Sequence, residues 1–453
     1  MSDYGAYSLI PPLVVIVMAI ITKQSFEPLV AGCAAGFLMI SYKEFPNNFI
    51  QSLIKNLQDE SLIWVILVCG LYGSLIHLLV LSGGINAFGK QALKYIDTQK
   101  KSLLMTWALG IFFFIDDYLN ALATGTIMRK ISDKFNIPRE MLAYTIGSTA
   151  ASTCVLVPIS TWAIYIGKLI EETGLVAKGQ GTNAFMKTIP FGFYAWFAVI
   201  LVFLVIMGYV PIFGRMKRAF ERVENGGTLA PAGSENLSVQ AEAFVPESQA
   251  KAIYLLLPLV VLILSTIFMG IDALKGVITA VCFTIAFYGI LKIIPYRLLS
   301  ESIFEGFKSM IFALAILVMS YVLKAVGDQM GLTQYVIHSL QGAVSKEVLA
   351  FLIFISLGSI AFATGSSWGI YAVAVPIVVT LAQALHANVW LALGAVISSG
   401  TFGAHACFYS DATILASAGS ECSNLEHAFT QLPYALMSAS LAALCFLACG
   451  YMF

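Results

Sequence analysis

Long apolar runs separated by short polar stretches occupy most of the 453 residues. In the first half of the chain such runs lie at about 7 to 22, 27 to 42, 61 to 82, 140 to 170 and 190 to 211. A helix of about 20 apolar residues spans the hydrocarbon core of a bilayer and satisfies its own backbone hydrogen bonds there. The pattern therefore predicts an all-α polytopic membrane protein.

A further apolar run, Ser102 to Lys130, contains two adjacent acids, Asp116 and Asp117. Basic residues flank this run at both ends, so a full crossing would put them on opposite faces, against the usual charge bias. A hairpin keeps them on one face. About 14 residues of helix rise about 21 Å, enough to reach the middle of a core about 30 Å thick. We therefore predict a re-entrant hairpin over residues 102–130, with both acids near the midplane.

The second half of the chain repeats the first. The stretch "PLVVIVMAII" at Pro12 returns as "PLVVLILSTI" at Pro258, and later segments match at an offset of 250 residues. We predict a first repeat over residues 1–212 and a second over 252–453. The first has a broken helix at 140–170, and the second has a hairpin at 347–383 and a broken helix at 388–420. Because five crossings and one hairpin per repeat give an odd number of crossings, the second repeat is expected to be inverted.

Residues 213–251 form a long polar stretch between the repeats, rich in Gly, Ser and Glu, with a cluster of basic residues at its start. This composition is typical of a flexible linker. The basic start indicates the cytoplasmic side of the membrane. We therefore expect a flexible cytoplasmic linker rather than a folded domain.

Two predicted helices contain polar, small-residue stretches, "GSTAASTCVLVPIS" from Gly147 and "SSGTFGAHACFYSDAT" from Ser398. Pro158 lacks an amide proton and interrupts the first helix, and we expect Gly400 and Gly403 to weaken the second. Non-helical backbone at membrane depth is tolerated only where it is buried or lines a wet cavity. Its free carbonyls and helix N-termini bind ions there. The two breaks are therefore expected to complete a site with the hairpin tips.

The candidate residues at this site share an oxygen, nitrogen or aromatic group that an ion or small solute could contact. They are Asp116, Asp117, Asn120, Thr149, Ser152, Thr153, Ser160, Thr364, Ser366, Ser367, Trp368, Thr401, His405, Ser410 and Asp411. Asp117 and Asp116 are the expected sodium ligands, because hard cations prefer oxygen ligands. A carboxylate at the bilayer centre costs at least about 2.5 to 3.5 kcal/mol, so it is expected to bind a cation, a proton or a base.

Composition agrees with a membrane protein and excludes several other classes. The chain is 59% hydrophobic and 11% charged, whereas a soluble domain has about 25% charged residues. Its mean hydropathy is +0.86. Lys plus Arg and Asp plus Glu are equal at 25 each, which gives no reason to expect nucleic acid as a partner. The eight cysteines lack metal-binding spacing, and we expect no cofactor.

Two stretches resemble a known family. The first is "FIDDYLNALATGTIMRKISDKFNIPREMLAYTIGSTAASTCVLVPISTWAIY", which resembles the signature region of the NhaC-type sodium/proton antiporter family, within the ion transporter superfamily. "TGSSWGIYAVAVPI" and "GTFGAHACFYSDATILASAGSECSNLEHAFTQLPY" are similar to its C-terminal block. The resemblance implies a scaffold and a moving transport domain that work as an elevator, a homodimer joined through the scaffold, and a multi-pass protein of the bacterial inner membrane. It also implies sodium or protons as the coupling ions.

Ion-coupled secondary transport is the predicted function, with sodium/proton antiport as the leading reaction. Ala404 stands where the family has an acid, which favours an alternative cargo, a small amino acid or carboxylate coupled to sodium or protons. An intramembrane aspartyl hydrolase would need two acids from separate elements, and only Asp411 could join the adjacent pair. A channel fits an inverted repeat less well than alternating access does. We therefore expect a transporter that is not an enzyme.

Overall fold

The computed structural model of the chain describes most of its residues. These are 4–22, 26–58, 60–84, 87–88, 91, 96–114, 117–158, 160–177, 180–234, 244–246, 249–269, 272–332, 335, 345–365 and 367–453. Every regular element within these ranges is a helix. The prediction of an all-α protein is confirmed for the part of the chain that is described.

The helices of the first half precede the linker. They are α1 (Ile10–Thr22), α2 (Phe26–Ile40), α3 (Phe45–Leu57), α4 (Glu60–Leu81), α5 (Gln99–Phe112), α6 (Asp117–Lys134), α7 (Arg139–Leu156), α8 (Thr161–Glu172), α9 (Gly181–Thr188) and α10 (Phe193–Met207). Short 3₁₀ helices lie at Gly5–Leu9 and Ile189–Phe191.

The linker contains one helix, α11 (Gly214–Glu224), and the second half follows it. Its helices are α12 (Ile253–Phe268), α13 (Ala273–Ile290), α14 (Tyr296–Ser309), α15 (Ile311–Gln329), α16 (Leu349–Thr364), α17 (Ser367–Ala384), α18 (Val389–Ala406), α19 (Asp411–Ser420) and α20 (Asn424–Met452).

Several helices have the length and apolar character of membrane spans. Leu62–Leu81, Val389–Ala406 and Asn424–Met452 each qualify alone, and Gly181–Phe191 with Phe193–Met207 forms a pair bent by 55°. Shorter apolar helices include α2, α12 and α16. Since only helices and closed barrels span a hydrocarbon core, this distribution fits a polytopic membrane protein.

The two halves have helices in equivalent positions. The helices α16, α17, α18 and α19 each begin 250 residues after α5, α6, α7 and α8. The turns before α7 and α18 both contain a left-handed residue, Asn136 at φ 52° and His386 at φ 53°. Contacts between the halves are reciprocal as well, because α4 packs on α14 while α3 packs on α15. Reciprocal pairing of equivalent surfaces is what a two-fold relation between the halves produces.

The helices α5 and α6 run antiparallel. At their open end Gln99 Nε2 donates to the carbonyl of Phe135 over 2.9 Å. At the other end the Asn120 amide donates to the Gly110 carbonyl. The chain therefore reverses direction between Phe112 and Asp117, and the first residue of α6 is one of the two predicted acids.

Only one of the breaks in the two long helices has the cause that the sequence suggested. In the first, α7 ends at Leu156, next to Pro158, as expected. In the second, the expectation that Gly400 and Gly403 interrupt the helix is wrong, because α18 continues through both to Ala406. These glycines instead permit close packing, since a Cβ atom at either would collide with Tyr371 or Ala361. The break follows at residues 407–410.

The first part of the linker is ordered, contrary to the expectation of a flexible segment. Arg222 of α11 forms a bidentate ion pair with Glu140 of α7, over 2.8 and 2.9 Å. The side-chain hydrogen bonds to Glu140 raise the pKa of Arg222. Glu140 is only 1% exposed. The ion pair therefore holds the linker helix α11 against α7 of the first half, and α11 also contacts α20 of the second half.

Candidate functional site

The N-termini of four helices converge near the middle of the molecule. Tyr371 of α17 shows this convergence, because its ring meets Trp162 of α8 with centroids 5.5 Å apart. Its hydroxyl donates to the Ile397 carbonyl of α18 over 3.0 Å. Tyr371 is also close enough to Asp117 and Asp411 to interact with both electrostatically. The first turns of α6, α8, α17 and α19 therefore surround one buried volume.

Asp411 occupies the first position of α19, directly after the N-cap Ser410. One of its oxygens, Oδ1, accepts the Ala412 backbone N–H over 2.8 Å. The other, Oδ2, accepts the hydroxyl of Tyr118 over 2.6 Å. A helix N-terminus favours negative charge, because its dipole presents a partial positive charge there. The carboxylate is thus fixed in place by α19 and by a residue of the other half of the chain.

Asp117 occupies the first position of α6 and is 2% exposed. Its neighbour in sequence, Asp116, lies outside the described residues. The adjacent turn of α6 is fixed, because Asn120 bonds the Gly110 carbonyl and lies 3.4 Å from the Thr124 hydroxyl. Tyr118 joins this tip to Asp411. Two buried carboxylates, one from each half, therefore lie at two helix N-termini that are joined by a hydrogen bond.

Equivalent serine hydroxyls form equivalent hydrogen bonds at the two breaks. Ser160 Oγ donates to the Cys154 carbonyl over 2.6 Å and accepts the Ala163 N–H over 3.0 Å. Ser410 Oγ bonds the Ala404 carbonyl and accepts the Thr413 N–H over 3.2 Å. A side-chain oxygen at the N-cap satisfies a backbone donor that the helix leaves open. Both predicted serines therefore act as caps, and their hydroxyl protons are committed to the backbone.

Most of the other predicted hydroxyls donate to backbone carbonyls. Thr149, Thr364 and Thr401 bond carbonyls of their own helices, and Ser367 donates to the Gly400 carbonyl over 2.8 Å. Each such oxygen keeps a lone pair that can face a ligand.

Ser152 and Thr153 differ from these hydroxyls. Both are buried, and within the described residues neither hydroxyl has a hydrogen-bond partner. Ser366 lies outside the described residues, and for Trp368 the structure describes only its place in α17.

His405 is at the end of α18 and is 2% exposed. Its Nδ1 lies 2.7 Å from the Tyr194 hydroxyl of α10, and its Nε2 lies 3.2 Å from Ser148 Oγ of α7. Both ring nitrogens thus have protein partners. The imidazole joins α7, α10 and α18 beside the second break.

Charged residues gather where α6 and α19 end and α7 begins, away from the two acids. Arg139 pairs with Asp133 over 2.8 Å and with Glu421 over 3.5 Å. Arg129 also pairs with Glu421. Paired charges of this kind tie α6 and α7 of the first half to the end of α19. The same face carries the Glu140 pair with the linker.

Sequence reasoning missed two groups at or near the site. Tyr118 is not among the candidate residues predicted from the sequence, although it bonds Asp411; its position next to Asp117 at the hairpin tip was the available signal. His427 and Gln431 of α20 were not considered, although both are fully buried. Their spacing of four residues places them on one face of a helix, so a polar pair within an apolar run was the signal there.

Among the described residues, no group of three or more His, Cys, Asp or Glu side chains is arranged to hold a metal ion. The carboxylates of Asp117 and Asp411 are oxygen groups of the kind that hard cations prefer as ligands. Such a cation would be cargo rather than a resident cofactor.

Comparison with known proteins gives the family. The model of the Na+/H+ antiporter family matches residues 154–451, a range that includes both breaks and the second half. A protein of Haemophilus influenzae, described as an uncharacterized protein, is 30% identical over 488 aligned positions, which cover 99% of this chain and 91% of the relative. The family couples transport to sodium ions or protons. The chain belongs to the Na+/H+ antiporter family and is an ion-coupled membrane transporter.

Proposed function

We propose that this chain exchanges sodium ions for protons across the bacterial inner membrane, with Asp117 and Asp411 as the carboxylates that hold either ion. The observation that carries the proposal is the hydrogen bond from Tyr118, the residue after Asp117, to Asp411, which is 293 residues away in sequence. It supports a common site that takes one buried acid from each half. Asp116, adjacent to Asp117 in sequence, is the further candidate ligand at the tip.

Competition between the two ions follows from the charges. Two neighbouring carboxylates repel each other when both are ionised, and either one proton or one cation relieves that repulsion. The hydroxyls of Ser152 and Thr153, which have no hydrogen-bond partner in the part of the chain that is described, offer neutral oxygens on α7, the helix that packs between α5 and α18. A site that holds sodium or a proton, but not both, exchanges one for the other when it faces alternate sides.

An elevator mechanism is supported by the grouping of helix contacts. The helices α1–α4 pack mainly with α12–α15, and α5–α10 pack mainly with α16–α20. Between the groups, α4 and α12 meet α6 around an apolar cavity whose lining includes Tyr72, Leu122, Ile127 and Leu259. An interface with few directional hydrogen bonds opposes sliding less than a polar one does. In this proposal the first group is the scaffold, which also forms the homodimer, and the second carries the ion.

The equivalent positions of the helices and their reciprocal packing support inverted repeats. In this proposal the tip of α5–α6 and the break before α19 form one site, as in transporters that alternate access through repeats. The linker then lies on the cytoplasmic face, where its basic residues are favoured.

The test uses purified protein in proteoliposomes that enclose a pH-sensitive dye. A sodium gradient should drive a pH change in vesicles that carry the wild-type protein, and Asp117→Asn should abolish it while the protein remains folded. The matched control is Asp97→Asn, which removes a carboxylate whose side chain is 67% exposed before α5. Wild-type exchange by Asp117→Asn would overturn the role of Asp117. A pH change that requires an added amino acid or carboxylate would favour the organic-solute alternative.

A further inference from the structure

A second polar cluster lies beside the site, at the start of α20. His427 and Gln431 are both 0% exposed. Within the described residues, neither ring nitrogen of His427 has a hydrogen-bond partner, and neither has Gln431 Oε1. A Cβ atom on Gly147 of α7 would lie 3.0 Å from Gln431 Oε1 and 3.4 Å from His427 Nε2. Both polar atoms therefore face the same small space next to a glycine.

The cluster continues to the second break. Gln431 Nε2 donates to the backbone carbonyl of His405, and the His405 ring is bonded by Ser148 and Tyr194. Ser148 follows Gly147 directly in α7. The polar groups thus form one buried column through α7, α10, α18 and α20, which ends near the segment that begins α19.

The other end of the column approaches the linker face. His427 lies one turn into α20, which begins at Asn424. The preceding residue, Glu426, pairs with Arg215 of the linker helix over 3.3 Å, and both side chains are partly exposed. The enclosed imidazole is therefore the residue next to a member of this partly exposed ion pair, within the first turn of α20.

A buried polar group without a partner costs about 1 to 3 kcal/mol, and such groups in a native fold require an explanation. Here three polar atoms from two side chains are affected. An imidazole changes its donor and acceptor pattern when it gains a proton, and near neutral pH it is the side chain most easily converted. An imidazole that gains and loses a proton during transport cannot keep one fixed set of hydrogen bonds.

We propose that His427 is a proton carrier of this transporter, which receives the exchanged proton along the column and releases it at the linker face. On release, the N–H bond of the imidazolium breaks, the proton passes to water, and the neutral ring remains with its electron pair. In this proposal Gln431 positions the protonated ring, because its Oε1 is available to accept the N–H that the imidazolium gains and its amide is anchored to the His405 carbonyl. This inference rests on the proposed sodium/proton exchange.

The groups that can influence His427 are known from the helices packed against α20. His405 of α18 acts on it electrostatically, and two imidazoles this close are not expected to be protonated together. The remaining titratable or charged residues on the packed helices are Arg139, Glu140, Tyr144 and Cys154 of α7, Tyr194 of α10, Arg215, Lys217, Arg218, Glu221, Arg222 and Glu224 of α11, and Asp411 of α19.

Direct observation of the ring tests the inference without transport. Histidine labelled with ¹⁵N in the full chain in nanodiscs gives signals from five residues, and loss of one signal in His427→Gln assigns it. We expect the His427 ring to gain a proton as the pH is lowered while the protein stays folded, and His405→Asn to raise the pH at which it does so. A ring that stays neutral at every pH at which the wild-type protein remains folded would overturn the proposal.

Transport gives the second test. In proteoliposomes, His427→Gln should lower the maximal exchange rate about tenfold and flatten its dependence on pH, with the apparent sodium affinity retained. The control is His386→Asn, an exposed turn residue at φ 53°, a conformation that Asn tolerates. An unchanged pH profile in His427→Gln would refute the carrier role. If wild-type protein shows no exchange at all, the proposed function fails, whereas the ring titration still decides the role of His427.

Discussion

The two halves of the molecule have equivalent backbones but different chemistry at equivalent positions. Asp117 begins α6, and its counterpart at the start of α17 is Ser367. Asp411 begins α19, and its counterpart at the start of α8 is Thr161. The repeat thus places an acid once at a hairpin tip and once at a break. Equivalent helix starts therefore occur in both halves, but only Asp117 and Asp411 place a carboxylate at one, whereas Thr161 and Ser367 place a hydroxyl residue at their counterparts.

Packing also differs between the helices that begin with the acids, α6 and α19, and those that begin with the hydroxyl residues, α8 and α17. We call these two pairs the acid side and the hydroxyl side. On the acid side, α6 and α19 approach so closely that a Cβ atom on Gly125 would lie 2.5 to 2.7 Å from backbone atoms of Gly419. On the hydroxyl side, α8 and α17 meet through the rings of Trp162 and Tyr371. Close backbone contact fixes the two acids relative to each other. This arrangement supports the proposal of one cation site rather than two related ones.

Moving one acid to the equivalent position in the other half has the largest expected effect. The double variant Thr161→Asp/Asp411→Thr keeps the number of carboxylates, but it moves one of them from the start of α19, where Tyr118 bonds it, to the start of α8. We expect sodium-driven pH changes in proteoliposomes to fall to background, because the two acids no longer share an ion. Asp97→Asn serves again as the control. Substantial sodium/proton exchange by the double variant would show that an acid at the start of α8 can replace the acid at the start of α19, and the proposed difference between the two positions would be wrong.

Disturbing the close backbone contact comes next. Gly419→Ala places a Cβ atom 2.5 Å from the Ala121 carbonyl oxygen, and such overpacking costs about 1 to 3 kcal/mol. We expect a lower midpoint of thermal unfolding and weaker sodium binding. Gly289→Ala is the matched control, since its nearest side-chain contact would be an ordinary 3.7 Å. Equal stability of the two variants would mean that the acid side is not tightly packed.

Removing one hydroxyl sharpens the role of Tyr118. Tyr118→Phe deletes the donor to Asp411, and a hydrogen bond to a charged group contributes about 1.5 to 3 kcal/mol. We expect sodium binding at a fixed acidic pH to weaken about tenfold, because a carboxylate without that donor holds a proton more tightly. Tyr288→Phe deletes a buried hydroxyl that donates to the Tyr254 carbonyl in the scaffold. Equal sodium affinity in both variants would remove Tyr118 from the site.

The two caps provide the smallest and most symmetric comparison. Ser160→Ala and Ser410→Ala each remove an N-cap, at a cost of about 1 kcal/mol. Thermal unfolding should therefore report similar losses. Only Ser410→Ala should also reduce sodium affinity, because it loosens the helix end that carries Asp411. If both variants lower the sodium affinity equally, the two breaks contribute equally to sodium binding, contrary to the proposal.

The fold class and the family could be predicted from the sequence because both depend on local features. Apolar runs of about 20 residues indicate membrane helices wherever they fold, and the two signature stretches are contiguous. The break at Pro158 was also local, since proline acts on its own helix. The error at Gly400 and Gly403 arose because glycine in a helix can serve close packing as well as interruption, and only the tertiary neighbours distinguish the two.

The details of the site depend on contacts between distant residues. Tyr118 and Asp411 are separated by 293 residues, and no periodicity within either segment indicates that contact. Glu140 is buried because Arg222 of the linker reaches it from 82 residues away. His427 required knowledge of which side of α20 faces Gly147. Such pairings follow from how the two halves pack, which a single sequence does not specify.

Equilibrium sodium binding to purified wild-type protein, Asp117→Asn and Asp411→Asn, followed by calorimetry, tests the shared site most directly. We expect one sodium ion per wild-type chain, bound with release of a proton, and loss of that binding in each single variant. Sodium binding of unchanged affinity and stoichiometry in either variant would contradict it.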